Sequence, residues 1–542
     1  MKKKMIVALA TTLILTSCND FLADFLTLKP LNAVSVENYW EKKSEVESCI
    51  ASCYYAMQEA NFAKRVIAWG EMRADNITDN AALQNNENDY NYYVNNITSQ
   101  NTWCSWAAMY NVINLCNTVL YYAPGAQEKD GNFTEEELLS YNAEVRSIRA
   151  LCYFYLIRTF RKVPLVTMAT IGDDEDFKVA ASSEEEVLAQ IIEDLEWAKE
   201  DIWGERFFDT PAERKGRFNK LSVKAMLADV YLWAGDYARC AEYAAEVIAA
   251  KQAEYALQQQ QMAQGENELY YANGTLNLYE GYPLIDGTTL HYANQQLFVT
   301  GNSFESLLEL QYDFDIRDNS GVTALYGSTR TLTGGMLSAA NYIIDRQEGA
   351  LFEDTNDGRL IDCVNYDGFT TSNSYSILKY RAAKDDNEQI QMGGKAANWI
   401  VYRLTDVMLM RAEALAYLGG EDNLQEAFQL VKAVNERACG GTSKLLTMPD
   451  DMKRLVLDER QRELMFEGKR WYDLMRMVRH ADEPTKMMST LRNTYLLRKY
   501  QTGGRDAVTR LASIDNLYLP FYQPEIDVNP LLEADQNPAY QY

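Results

Sequence analysis

Histidine is nearly absent from the chain: in 542 residues only His291 and His480 occur, far apart in sequence. A Ser-His-Asp triad would have to recruit one of them, and no G-x-S-x-G elbow is present. The P-loop, the G-x-G-x-x-G turn that opens a helix and the H-E-x-x-H zinc motif are missing too. The sequence therefore predicts no cofactor, no metal centre and no enzyme built on either. Glycoside hydrolysis is the enzyme alternative that survives these absences, because it needs only two carboxylates flanking a bond and 78 acidic residues are present. Positive charge is also in short supply. With 52 Lys and Arg the formal net charge is -26, which on average repels nucleic acid and anionic lipid surfaces. No stretch beyond the N-terminus is both apolar and long enough to cross a bilayer, which takes about 20 residues.

What is present begins with "MKKKMIVALATTLILTSCND". Lys2, Lys3 and Lys4 precede an apolar run from Met5 to Leu15, and the small residues Thr16 and Ser17 come before Cys18. These are the parts of an export signal. "LTSC" looks like a bacterial lipobox, in which Cys18 becomes the lipidated first mature residue and the body is held to a membrane by its N-terminal lipids. Residues 1–17 are thus expected to be a signal peptide and 18–36 a tether. The other cysteines are scattered among apolar helical residues, where Cys acts as a small hydrophobe, and buried free thiols are expected. "FEDTNDGRLID" imitates a calcium loop, but with Asp357-Gly358 at loop positions five and six, Thr355 falls at three and Val364 at twelve. The bidentate carboxylate is lacking, and the segment reads as a polar turn.

A hydrophobic fraction of 47% can build a substantial core, and its spacing is mostly helical. Met109, Val112, Ile113, Cys116 and Val119 form one stripe at intervals of three and four residues. Thr134 with Glu137 has the form of a capping box at the head of a long buried helix that stops before Pro164. In "LSVKAMLADVYLWAGDYARCAEYAAEVIAA", Leu227, Ala228, Tyr231, Gly235, Asp236, Tyr237 and Cys240 match tetratricopeptide spacing, and Ala412, Gly419 and Ala427 repeat its small positions in a looser copy. The expected fold is mostly α: a tetratricopeptide-like scaffold of stacked helical hairpins over 37–257 and 400–480, each hairpin hiding its neighbour's apolar face. Between them, residues 258–399 lose the helical period and fill with Gly, Asn, Asp, Ser and Tyr. So long an insertion is expected to be an irregular ligand-binding lobe. Residues 481–542 are expected to wrap the body, their last part as proline-rich coil. "ERQRELMFEGKRWYDLMRM", residues 459–477, reads as one scaffold helix whose Arg460–Glu463 and Lys469–Asp473 pairs lie along one face.

Several of these stretches, taken in order, resemble the SusD/RagB family of outer-membrane nutrient-binding lipoproteins. They are the lipobox followed by "CNDFLADFL", the helix "IRALCYFYLIRTFRKVPLV", "YRLTDVMLMRAEALAYLG", the stretch 459–477, and the ending "LYLPFYQPEIDVNPLLEADQNPAY". The likeness covers nearly the whole chain. It departs at Arg161 and Lys162, where the family often has two glycines, and at Ala539, where Gly is common. The resemblance implies a non-catalytic lipoprotein of the outer membrane that faces the cell exterior. Such a protein captures oligosaccharide or polysaccharide and closes as a hinged lid over a SusC-like TonB-dependent transporter. A peptide is the alternative ligand, as in RagB-like relatives.

The candidate ligand contacts are aromatic. Sugar rings present C–H faces that pack on aromatic rings, and their hydroxyls need amide, carboxylate or guanidinium partners; 36 Tyr and 9 Trp supply the rings. Two loop clusters stand out, one of Tyr90, Tyr92, Tyr93 and Trp103, the other of Tyr279, Tyr282, Tyr292 and Tyr326. The alternative for each tyrosine is a core ring with its hydroxyl in water. The resemblance adds Arg73, Asn95 and Asn96, which fall in the region after the second helix where the family lines its groove. Arg73 could equally pair with Asp75 to close a turn.

Overall fold

A computed structural model describes residues 39–171, 178–264, 274–313, 315–327, 335–344, 350–353, 356–365, 375–384, 390–392, 396–500 and 503–541. The expected signal peptide, Cys18 and the tether lie outside these residues. The scaffold runs α1 (Lys43–Met57), α2 (Ala60–Glu71), α3 (Ala107–Lys129), α4 (Glu135–Phe160), α5 (Glu184–Asp201), α6 (Lys220–Ala234), α7 (Tyr237–Ala263), α8 (Leu404–Leu418), α9 (Glu421–Ala438), α10 (Met452–Leu464) and α11 (Arg470–Arg479). Each helix from α3 to α9 packs on the next, α7 on α8 included. The chain leaves the stack after α7 and rejoins it at α8.

Local chemistry sets the helix ends. Thr134 Oγ1 accepts from Glu137 N at 3.2 Å and Glu137 Oε2 accepts from Thr134 N at 2.9 Å, completing the capping box. Gly235 stops α6 at φ +80°, a left-handed conformation open to glycine without strain, and Asp236 then caps α7 by accepting from Arg239 N. Cys240 lies against the backbone of Met410, joining the two hairpin copies. The stripe from Met109 to Val119 is buried. The described cysteines are free thiols, all buried except the half-buried Cys49.

The lobe is held by short strands. In chain order the strands used below are β1 (Ile77–Thr78), β2 (Leu276–Tyr279), β3 (Tyr282–Ile285), β4 (Ser306–Leu310), β5 (Ser338–Ala339) and β6 (Trp399–Arg403). β2 and β3 form a hairpin. β4 pairs antiparallel with β6, which leads directly into α8, and both strands are buried along their whole length. The lobe is thus tied to the scaffold at its exit. In place of the expected polar turn, Asp357 accepts from Arg359 N as the cap of a short helix, Gly358–Cys363.

The stretch 459–477 is not one helix. α10 ends at Leu464 and α11 starts at Arg470, with Phe466 at φ +68° and Gly468 at φ +71° between them. The break fits a close approach of backbones: a Cβ on Gly70 would lie 1.7 Å from the carbonyl oxygen of Gly468. The expected pairs along one face do not form. Arg460 reaches Asp473 at 2.9 Å and Asp406 at 3.1 Å, Lys469 reaches Asp406 at 2.7 Å, and Glu463 takes Arg403, Arg359 and Arg437. The bend turns these charges inward, where each carboxylate gathers several cations to offset its desolvation.

The C-terminal segment opens with a helix, Pro484–Thr490, and from Ser513 runs as coil with single turns. It lies across the scaffold, Leu519 N donating to Thr159 O and Gln523 N to Ser99 O. Arg161 and Lys162, two of the three departures from the family pattern, hold this strap: Arg161 pairs with Asp515 at 3.0 Å and Lys162 with Asp535 at 2.7 Å. Among the described residues no helix is long and apolar enough to cross a membrane.

Candidate ligand-binding site

The segment after α2 carries the first predicted cluster, and its core is a buried cation. Arg73 is 1% exposed; its guanidinium donates to Asn95 Oδ1 at 2.9 Å, Leu517 O at 2.8 Å and Asn516 O at 2.6 Å, and stacks 4.3 Å from the Trp471 ring. It fastens the strap to the scaffold and has no face turned to solvent. Asp75 is not its partner. Although burial opposes ionisation, Arg470 and Arg498, at 2.8 and 2.6 Å, hold the Asp75 carboxyl well below its ordinary range. Below Arg73 the buried Lys499 donates to the carbonyls of Arg73 at 3.0 Å and Ala74 at 3.1 Å, closing the C-terminal end of α2. Burial pushes its ammonium well below the usual lysine range.

The Asn/Tyr-rich stretch is partly helical where its composition reads as loop. Asn86 caps a helix over Glu87–Tyr93 by accepting from Asp89 N, and helical spacing turns Asp89, Tyr92 and Tyr93 inward. Trp103 donates from its indole to Asp89 at 2.8 Å and packs 5.8 Å from Tyr92. Tyr92, Tyr93, Trp103 and Asn95 are all buried, so four of the predicted contacts support the fold from within. Asn95 sits at φ +57°, a conformation asparagine tolerates. Tyr90 is half-buried and Asn96 exposed.

The second cluster comes together only in part: Tyr279 and Tyr282 face each other across the β2–β3 hairpin and Tyr292 bonds the residue before that hairpin, whereas Tyr326 stands apart. Tyr279 is buried and accepts from Gly287 N, and Tyr292 is half-buried and accepts from Thr275 N. Tyr282 is half-buried. The β2–β3 hairpin that carries Tyr279 and Tyr282 packs on α9 and α7. Tyr326 is buried elsewhere, beneath the Phe466 turn, donating to Phe466 O at 2.9 Å from a short helix packed on α2. Only Tyr326 is carried away from the other three rings, by its place on the helix against α2.

What the fold does bring together is the segment after α2 and the lobe. β1 pairs with β5, Ile77 opposite Ala339 and Thr78 opposite Ser338. Asn80 Nδ2 adds bonds to Gly335 O and Ser338 Oγ, both at 3.0 Å. Next to it stand Asp79, which accepts from Gln84 at 2.7 Å, and Tyr90 and Arg510. The hydroxyl of Tyr90 is raised by burial and then by the Asp79 carboxylate, with Arg510 opposing, which sets a ring, an anion and a cation within electrostatic reach of one another. Arg510 arrives from the C-terminal segment, donating to Val94 O at 3.1 Å, and no motif in the sequence marks it. Among the described residues no group of three or more His, Cys, Asp or Glu side chains is placed to hold a metal ion.

A stack of helical hairpins whose inserted lobe pairs with the segment after α2 defines a class of scaffolded proteins, and comparison with known proteins gives it a family. A model of the SusD family matches residues 351–540, and one described as "Starch-binding associating with outer membrane" matches 24–232. The chain belongs to the SusD/RagB family. It is 25% identical over 499 residues to SusD-like protein P38 of Formosa agariphila, covering 85% of this chain and 88% of that one. It is 23% identical over 453 residues to the starch-binding protein SusD of Bacteroides thetaiotaomicron, 75% of this chain and 74% of that one. A SusD superfamily structure from Bacteroides vulgatus superposes with a TM-score of 0.67 at 19% identity, over 93% of this chain and all of the other. A laminarin-binding SusD-like protein gives 0.62 at 20%, over 92% of this chain and all of that one. These structures share the fold.

Proposed function

We propose that this protein captures extracellular oligosaccharide or polysaccharide at the face where β1 meets β5. It passes the glycan to a SusC-like TonB-dependent transporter, on which it sits as a lid anchored through Cys18. The observation that carries the reading is the half-buried Tyr90 ring, able to pack on a sugar face, with the Asp79 carboxylate and the Arg510 guanidinium within electrostatic reach of it for hydroxyls. Relatives named for binding starch and laminarin support the ligand class, and the outer-membrane description of the matching model supports the location. Binding and closure need no covalent step.

The test is isothermal titration of residues 19–542 against plant and host polysaccharides, with a mixed peptide digest alongside. Saturation by a glycan is expected, weakened about fivefold by Tyr90→Ala, in line with roughly 1 kcal/mol for an aromatic contact. Heat on the peptides alone would move the protein to the peptide-capturing branch of the family. Sugar release during incubation would make it a glycoside hydrolase. Cys18→Ala is expected to free the full-length protein from the membrane fraction.

A further inference from the structure

A cavity of about 150 Å³ opens between residues 287–298 and the helix Gly358–Cys363, with the ends of α9 and α10 behind it. It is separate from the face described above. α10 presents Gln461 toward Asp75 and Asn76, whereas Glu459 and Glu463 on the same helix bind Arg359, which lines the cavity. One lining group is unexplained by the fold. Asn294 is 6% exposed, and neither its Oδ1 nor its Nδ2 has a hydrogen-bond partner. Buried amides are paired in nearly all folded proteins, so one left with both ends unmet asks for a ligand.

The rest of the lining says what kind. Its charged groups already hold counter-charges: Arg359 with Asp357 and Glu459, Lys379 with Glu467 at 2.6 Å, Arg437 with Glu463, and His291 with Asp362. An ion would have to displace one of these, whereas a neutral hydrogen-bonding molecule need only meet Asn294. Leu297 and Phe298 give the cavity an apolar wall. A cavity of about 150 Å³ accepts a six-membered ring the size of benzene, and a pyranose, whose hydroxyls double that atom count, would seat one side in it and leave the rest at the open rim beside Leu290. We propose that this cavity is a second binding site, taking a single pyranose ring with hydroxyls on the Asn294 amide and its apolar face on Leu297 and Phe298. The ring belongs either to a free monosaccharide or to the end of a chain.

The experiment is calorimetric titration of residues 19–542 with glucose, galactose, mannose, xylose and N-acetylglucosamine. Two variants go alongside: Asn294→Leu, which keeps the volume and removes the hydrogen bonds, and Leu290→Trp, at an exposed residue of the rim. Saturable binding of at least one sugar is expected, weakened tenfold or more by each variant, with circular dichroism confirming both folded. Tyr90→Ala should leave this binding unchanged, which separates the site from the proposed glycan face. A disaccharide of the same sugar that binds as well or better assigns the pocket to chain ends, and one that fails assigns it to the free sugar. Absence of saturable heat with all five sugars, or binding that survives both variants, overturns the proposal.

Discussion

Arg73→Met separates a structural from a ligand-contacting role for the cation that the family resemblance points to. Methionine keeps much of the packing against Trp471 but withdraws the donors that meet Asn95 Oδ1, Leu517 O and Asn516 O. Each buried acceptor left unmet costs about 1–3 kcal/mol, and loss of the cation above the indole adds about 1 kcal/mol. Allowing for one carbonyl that recovers water at the edge, the expected destabilisation is about 4 kcal/mol, a large share of the roughly 5–15 kcal/mol that holds a typical domain folded. The strap should loosen first. Hydrogen exchange at the amides of Leu519 and Gln523, which bond Thr159 and Ser99, should accelerate well below the unfolding transition. Urea denaturation and exchange mass spectrometry measure both effects. A variant with unchanged stability and exchange, but lowered glycan affinity, would refute the clamp and return Arg73 to the binding surface.

Glu71 is fully buried, and burial raises its carboxyl to about 7 against the opposing bonds from Asn76 and the backbone of Phe466 and Gly468. Between about pH 4.5 and 7 the folded state keeps a proton the unfolded chain has released, so this group costs stability as pH rises through that window, in total about 3 kcal/mol. Glu71→Gln should erase the slope, its advantage over wild type growing from pH 4 to pH 8 in paired denaturation curves. His480 behaves in the opposite sense. Its Nε2–H donates to Trp233 O and its Nδ1 accepts from the Tyr237 hydroxyl at 2.7 Å, and burial, followed by Arg476 and Arg479, lowers it to about 4. Stability from His480 is complete above about pH 6.5 and lost toward pH 4, and a histidine NMR signal titrating near 4 that vanishes in His480→Gln would confirm it. Arg161 occupies φ +70° and ψ −49° with Lys162 N bonded to Phe160 O, a strained γ-turn. Arg161→Gly should relieve about 1–2 kcal/mol of strain and lose under 1 kcal/mol from the exposed Asp515 pair. A net gain of about 1 kcal/mol in urea denaturation is expected, and a net loss would show that the pair dominates.

The hairpin scaffold was legible because its signals are short-range. A capping box such as Thr134 with Glu137 acts within one helical turn, and Gly235 with Asp236 ends one helix and starts the next without help from distant residues. The order of the family-like motifs was equally readable, since it needs no coordinates. Stretch 459–477 shows where such reasoning stops. Its apolar spacing continues through the break, and what holds Gly468 in the turn is Glu71, accepting its amide proton from 397 residues away. The proposed binding face is decided in the same way. Composition could gather tyrosines into blocks, but which rings turn inward depends on Asp89 reaching Trp103, on Arg73 reaching the strap, and on β1 finding β5 across the chain. Periodicity reports the neighbours within four residues, whereas burial and ion pairing are settled by whichever distant segment closes over a side chain. For that reason Arg510, carried by the C-terminal segment to the side of Tyr90, became a candidate contact only in three dimensions.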